Sequence, residues 1–284
     1  MRHRYECPMR WADMDQLGHI NNVVYVDYLQ EARVDMMRTH GANAQQGELA
    51  EGTVVVRHEV TYAAPLHFGH RPVSIECWVT QVRAATFTVA YEVFHEDAEG
   101  LRQVYLRAKT VLTPYVFTTE RPRRITDAER VMLSSFLEPE ETTPRSPFPA
   151  ERPGTALHYP VHVRFSDVDV YGHVNNVKYF EYFQEARISG IARMWQGLDQ
   201  ITIVVAQTDV DYRVPILFRP EPYDAWSWVS RVGQRSATIE SVICDGDTVL
   251  SRARVTIVFF DQQTQRSTVP PAAYLERLEA HRSA

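Results

Sequence analysis

The chain carries one motif twice. RWADMDQLGHINNVVYVDYLQEAR (residues 10–33) and RFSDVDVYGHVNNVKYFEYFQEAR (164–187) align without a gap at a shift of 154, and 14 of the 24 positions are identical. A second match, TYAAPL (61–66) with DYRVPI (211–216), runs at a shift of 150. The second copy is therefore four residues shorter between the two blocks. A repeat on this scale means two units of one architecture, so any fold proposed for one half must also suit the other.

Between the copies lies EPEETTPRSPFPAERPG (138–154), rich in proline and charge and without hydrophobic period. It reads as a linker. The expected organisation is a first unit over 1–137, a linker over 138–157 and a second unit over 158–284. With 284 residues, 44% of them hydrophobic, each unit has enough material for a core of its own.

Each unit opens on a short strand, RHRYECPMRW or LHYPVHVRF. A long helix follows. Tyr25, Tyr28, Leu29, Ala32 and Met36 fall at i, i+3, i+4, i+7 and i+11, an apolar stripe along one face, and Tyr179, Tyr182, Phe183 and Ala186 begin the same stripe in the second copy. Gly41 and Gly197 are the expected helix stops. Alternating segments then read as strands: TVVVRHEVTY, PVSIECWVTQV, ATFTVAYEVFH and RQVYLRAKTVL, answered by ITIVVAQTDVDY, YDAWSWVSRV, SATIESVIC and VLSRARVTIVFF, with turns at EDAEG and CDGDT. A short helical pattern closes each unit. One strand, one long helix and an antiparallel meander make an α+β unit, with the helix covering the apolar face of the sheet.

Composition narrows the function classes. A net charge of -6 argues against nucleic acid, which wants a basic face. Three widely spaced cysteines, Cys7, Cys77 and Cys244, suit a reducing cytoplasm and form no metal knuckle or disulfide framework. The first residues lack an apolar signal core, and no run approaches a membrane span.

The repeated stretch D-x-D-x-x-G-H-x-N-N concentrates the chemistry. Asp13 and Asp15, like Asp167 and Asp169, share a face if the strand continues through them and need not if the chain has entered a loop. Gly18 and Gly172 permit a sharp turn. Asn21/Asn22 and Asn175/Asn176 fall where the helix should begin, as caps. The first N–H groups of a helix have no partner within it, and with the helix dipole they suit a carbonyl oxygen that becomes an oxyanion. A carboxylate folded back over them could attack that carbonyl or activate a water. His19 and His173 could orient the loop or bind substrate. A calcium loop is excluded: Leu17 and Tyr171 stand at its fifth position and Val24 and Lys178 at its twelfth, where oxygen ligands belong. A divalent metal on Asp13, Asp15 and His19 has no second supporting cluster, so no metal or cofactor is expected.

The pattern R-[WF]-x-D-x-D-x-x-G-H-[IV]-N-N-V-x-Y-x-x-Y-x-Q-E-A-R resembles the signature of hotdog-fold thioesterases of the 4-hydroxybenzoyl-CoA thioesterase family. The HVNNVKY form is especially similar to acyl-ACP thioesterases, which carry two hotdog units in one chain. The resemblance implies two tandem hotdogs, each a sheet wrapped around a central helix, paired as an intrachain pseudo-dimer with the acyl thioester at the interface. It implies Asp15 and Asp169 as nucleophile or general base, and backbone N–H groups at Asn22 and Asn176 as oxyanion donors. It further implies His19 and His173 at the site, and Asp13 and Asp167 as residues fixing the loop. The acyl-ACP branch uses a further acidic residue on a later strand; the matching place here is Pro215, with Ile216 after it. Its Asn two residues before the motif His is Tyr171 here, and both halves keep the loop. These departures favour a one-carboxylate mechanism on acyl-CoA. The resemblance also implies an acyl-CoA or acyl-ACP substrate, a place in fatty acid metabolism and a homodimer. A non-catalytic acyl-CoA-binding module and a hotdog hydratase or dehydratase are the alternatives. Two intact carboxylates speak against the first, and the Asp–x–x–Gly–His spacing fits the second less well.

Overall fold

In a computed structural model, contacts divide the chain into two compact units, Met1–Pro144 and Arg145–Ala284. The structure describes residues 1–41, 49, 52–140, 147–149 and 151–282. Part of the expected linker and most of the stretch GANAQQGELAEG (41–52) lie outside the described residues.

In the first unit the elements are β1 (His3–Cys7), α1 (Val24–His40), β2 (Thr53–Tyr62), β3 (Val73–Val82), β4 (Phe87–Glu96), β5 (Arg102–Val116), the two-residue β6 (Arg121–Pro122) and α2 (Asp127–Ser135). The five main strands form an antiparallel sheet in the order β1-β3-β4-β5-β2. The second unit repeats it with β7 (Leu157–Val161), α3 (Lys178–Met194), β8 (Ile203–Tyr212), β9 (Tyr223–Val232), β10 (Ser236–Asp245), β11 (Thr248–Asp261), β12 (Arg266–Ser267) and α4 (Ala272–Ala280). Its order is β7-β9-β10-β11-β8, again antiparallel.

The opening strand is shorter than the segment RHRYECPMRW. It stops at Cys7 because Pro8 has no N–H for the ladder. In β7 a proline is tolerated: Pro160 stands opposite Asp224 on a strand with a single neighbour in its unit, where its missing N–H can face away from the pairing.

The helices run 17 residues each. The stripe is wider than the five-residue pattern, since Val26, Arg33 and Met37 are buried beside Tyr25, Tyr28, Leu29, Ala32 and Met36. A flat sheet would cover one narrow face; this sheet curls. Among the described residues each unit has three register shifts at matching places, skipping Val56, Thr80 and Tyr105 in the first unit and Ala206, Ser230 and Leu250 in the second. An extra residue in one strand bends it and increases its twist, so the sheet wraps the helix.

The helix stops differ from expectation in mechanism. Gly41 caps α1 with φ -62, not in the left-handed region. Glycine is needed there because a Cβ would lie 2.7 Å from the Met37 carbonyl oxygen. In the second unit Trp195 caps α3, and Gly197, at φ 85, turns the chain two residues later.

Both ends of the proline-rich segment pack onto structure. The Glu138 N–H donates to the Val79 carbonyl at 2.8 Å, and the Trp78 indole donates to Glu140 at 3.1 Å. On the other side, Arg252 and Arg254 donate to the carbonyls of Pro149 and Pro147, and the Arg152 guanidinium lies 3.9 Å from the Trp226 ring centroid.

Candidate active site

The two aspartates of the motif do not share a strand face; the chain has entered a loop. Asp13 ends a single 3-10 turn, Trp11–Asp13, and is buried. Its carboxylate accepts from the Arg10 backbone N–H at 2.9 Å, from Arg10 Nε at 3.0 Å and from the Tyr28 hydroxyl on α1. Asp167 repeats this with the Arg164 N–H at 3.0 Å, Arg164 Nε at 3.0 Å and the Tyr182 hydroxyl at 2.7 Å. Burial pushes each carboxyl up, but the hydrogen bonds from arginine and tyrosine outweigh it, so both lie below the ordinary Asp value. These aspartates pin the turn to the central helix.

From there the chain makes a tight hairpin. The Asp15 N–H donates to the His19 carbonyl at 2.9 Å, the Gly18 N–H donates to the Asp15 carbonyl at 3.0 Å, and Met14 bridges Ile20. Gly18 sits at φ 76 and Gly172 at φ 82, the left-handed residue that closes a three-residue hairpin loop. The Asn21 N–H then returns to the Asp13 carbonyl at 2.8 Å, and Asn175 does the same to Asp167 at 2.8 Å. The strand of backbone holding the aspartates therefore lies beside the one leading into the helix.

Asp15 and Asp169 stand at the mouth of this hairpin, half-buried. In each, one oxygen is anchored: Asp15 Oδ1 accepts from the Leu17 N–H at 2.8 Å, and Asp169 Oδ1 from the N–H groups of Tyr171 at 2.9 Å and His173 at 3.2 Å. The other oxygen, Oδ2, has no hydrogen-bond partner among the described residues.

The Asn pair does not cap the helix as expected. The caps are Val23 and Val177, and the helix proper begins one residue later. Asn21 instead caps a preceding turn. Its side-chain oxygen accepts from the Val23 N–H at 3.2 Å and its carbonyl from the Val24 N–H at 3.0 Å, while Asn175 takes the N–H groups of Val177 and Lys178. An Asx turn competes with helix for the same donors, which moves the helix start downstream. The Asn22 N–H, between engaged neighbours, has no partner among the described residues. The Asn22 carbonyl is held by the Tyr62 hydroxyl at 2.8 Å, and the Asn176 carbonyl by Tyr212 at 2.8 Å.

A second segment braces the hairpin. The bulge carbonyl of Tyr105 accepts from the N–H groups of Ala63 and Ala64, and that of Leu250 from Arg213 and Val214. This fixes the chain after β2 and β8, so the Ile20 N–H donates to the Leu66 carbonyl at 2.8 Å and the Val174 N–H to Ile216 at 2.9 Å. His19 thereby bridges His67, and His173 bridges Leu217. Burial, then the neighbouring His67, lowers the pKa of His19 against the opposing pull of Asp15.

Sequence reasoning singled out Asp13, Asp15, His19, Asn22 and their counterparts, and each set falls in one hairpin. It missed Arg10, Tyr28, Tyr62 and His67. Three of these carried a signal: Arg10, Tyr28 and Tyr62 recur as Arg164, Tyr182 and Tyr212 at matching positions. His67 has no counterpart in the second unit and no motif to mark it. No group of three or more His, Cys, Asp or Glu residues suited to a metal occurs among the described residues.

Two antiparallel sheets, each wrapped on a central helix with this hairpin at the helix entrance, make a tandem hotdog fold. The thioesterase-like superfamily matches residues 9–149 and 163–278, and the chain belongs to that family. The long-chain acyl-CoA thioesterase FadM of Escherichia coli is 29% identical over 126 residues, 42% of this chain and 94% of its own. Among solved structures, a Lactobacillus plantarum protein described as an oleoyl thioesterase superposes with a TM-score of 0.74 at 17% identity, covering 92% of this chain and 98% of its own. A 12:0-ACP thioesterase from Umbellularia californica gives 0.68 at 18%, covering 89% and 96%. At these identities the two structures establish the shared fold.

Proposed function

We propose that the chain hydrolyses acyl thioesters of coenzyme A or acyl carrier protein, with Asp15 and Asp169 as the reacting carboxylates and the Asn22 and Asn176 N–H groups as oxyanion donors. As general base, the carboxylate takes a proton from water while the water oxygen bonds the thioester carbon. As nucleophile, it bonds that carbon itself, and water then cleaves the acyl anhydride. In both routes the carbonyl oxygen gains charge, the C–S bond breaks and the thiolate leaves with a proton. His19 and His173 stand beside the carboxylates to orient the substrate. Asp13 and Asp167 hold the loop and take no part in the chemistry.

The observation that carries this reading is the first hairpin: a carboxylate with one oxygen anchored and the other without a hydrogen-bond partner among the described residues, on backbone hydrogen-bonded back to a turn whose Asn22 N–H likewise has none among them. The relatives act on acyl-CoA or acyl-ACP by name, which supports the same substrate class here. The test is thiol release from a panel of acyl-CoAs and acyl-ACPs of graded chain length, with no added metal. We expect turnover on acyl-CoA; a panel with no release above background would overturn the assignment.

A further inference from the structure

The two hairpins share a backbone but not their immediate surroundings. At the bridge, His19 meets His67, with ring centroids 4.7 Å apart and planes at 81°. At the corresponding bridge His173 meets Leu217. The first contact is imposed by backbone. The Ile20 N–H to Leu66 carbonyl bond sets the register, and the Tyr105 bulge anchors the segment that carries His67. Two imidazoles are thus held edge to face by a frame that the second unit also builds and fills with an aliphatic side chain.

We propose that His67 is a positioning residue for His19, restricting it to the neutral imidazole in the first hairpin alone, and that the second hairpin, with Leu217, lacks this control. Two like charges this close disfavour each other. His67 is exposed, so charge there is met by water, while His19 is half-buried and its charged form is denied full hydration. A neutral imidazole offers one donor and one acceptor, whereas the cation offers two donors and would turn toward the Asp15 carboxylate. Keeping His19 neutral therefore keeps Asp15 available. The groups that face His19 are Asp15 on its own hairpin, which favours the charged ring, and His67 from the segment after β2, which opposes it. The Tyr25 hydroxyl of α1 binds the Leu66 backbone beneath the same segment, and burial pushes it up, so it stays uncharged.

The consequence for activity rests on the assignment of Asp15 and His19 to the site; the consequence for protonation does not. The experiment therefore reads both. Imidazole resonances of the full chain are titrated by NMR in the wild type, His67→Leu, His67→Gln and Leu217→His. The expected result is a His19 midpoint that rises in both His67 variants and is unchanged in Leu217→His, which alters the second hairpin alone. In parallel, kcat/KM against pH is measured for Asp169→Asn with and without His67→Leu. Its acid limb should move to higher pH when His67 is lost, with little change on the plateau. An unchanged His19 midpoint in His67→Leu overturns the proposal, whatever the activity. Absent turnover in every variant, with the midpoints shifting as expected, overturns the functional assignment and leaves the pairing of the two histidines standing.

Discussion

Set side by side, the hairpins 13–22 and 167–176 agree in backbone and diverge in what surrounds it. Asp15 N–H to His19 carbonyl is 2.9 Å and Asp169 N–H to His173 carbonyl 2.8 Å; both returns from Asn to Asp measure 2.8 Å. The pinning aspartates are equally buried and bonded to the same residue types. Around this shared frame, Gln16, Leu17 and His67 of the first unit become Val170, Tyr171 and Leu217 of the second. Val170 is 92% exposed, Leu217 50% and Phe218 52%. At the helix entrance Val24 becomes Lys178, whose ammonium joins Glu181 and Arg164 in a network at 2.6 Å. The frame is what the proposed chemistry requires and is duplicated; the side chains around it have drifted.

The largest expected effect tests the shared part. Asp13→Ala or Asp167→Ala strands a buried tyrosine hydroxyl and removes a charged acceptor of three bonds. Each should cost about 2–3 kcal/mol, read by chemical denaturation. Similar costs in the two units would support one frame used twice. A cost under about 0.5 kcal/mol in either would break the equivalence.

The next effect concerns the rim. Asp15→Asn leaves the apolar second rim in charge, and Asp169→Asn the more polar first. One methylene in an apolar pocket is worth roughly 1–3 kcal/mol, so the two variants should separate by about tenfold on some chain lengths. The Asp15→Asn protein should gain relative rate on longer chains. Parallel chain-length profiles, each at half the wild-type rate, would show that the rim differences lie outside the pocket.

A smaller effect falls on the turn. Gly18→Ala and Gly172→Ala place a Cβ at positive φ, with open space around it, so the cost is conformational alone, about 1–2 kcal/mol. Thermal unfolding should show it equally in both units, with a drop in activity as the hairpin loosens.

The smallest is a pH effect. Asp13 and Asp167 have folded values below the unfolded one, near 3.9. Their contribution is fully present above that value and is lost as pH falls through the lower folded values. Denaturation midpoints of Asp13→Asn/Asp167→Asn should therefore fall less steeply below about pH 4 than those of the wild type. Equal slopes would mean that these carboxylates are not the groups linking acid to unfolding.

Much of this was legible in the sequence because it was written twice. An apolar stripe at helical spacing, repeated in the second copy, marks both helices, and period-two alternation marks the meander strands. Bulges were not legible: Thr80 and Ser230 look like ordinary strand residues, and only pairing across the sheet reveals the skipped position. Asn21 misled for a physical reason. The residue type that caps helices also forms Asx turns, and the choice depends on the Asp13 carbonyl that receives its N–H. The stripe marks Tyr28 as core, which it is, but its hydroxyl also holds Asp13, fifteen residues away. A stripe pattern reports burial and says nothing of where a polar tip points. His67 was invisible because the contact that matters exists in one unit alone.

On the proposed mechanism the carboxylates of Asp15 and Asp169 perform the hydrolysis, on a frame that does not depend on their charge. The direct measurement is acyl-CoA turnover by Asp15→Asn plus Asp169→Asn, with folding checked by circular dichroism and thermal midpoint. Removing the reacting carboxylate from both hairpins should lower kcat by about 10²–10⁴-fold with the midpoint within a few degrees of wild type. A folded double variant that keeps near wild-type kcat would contradict the account.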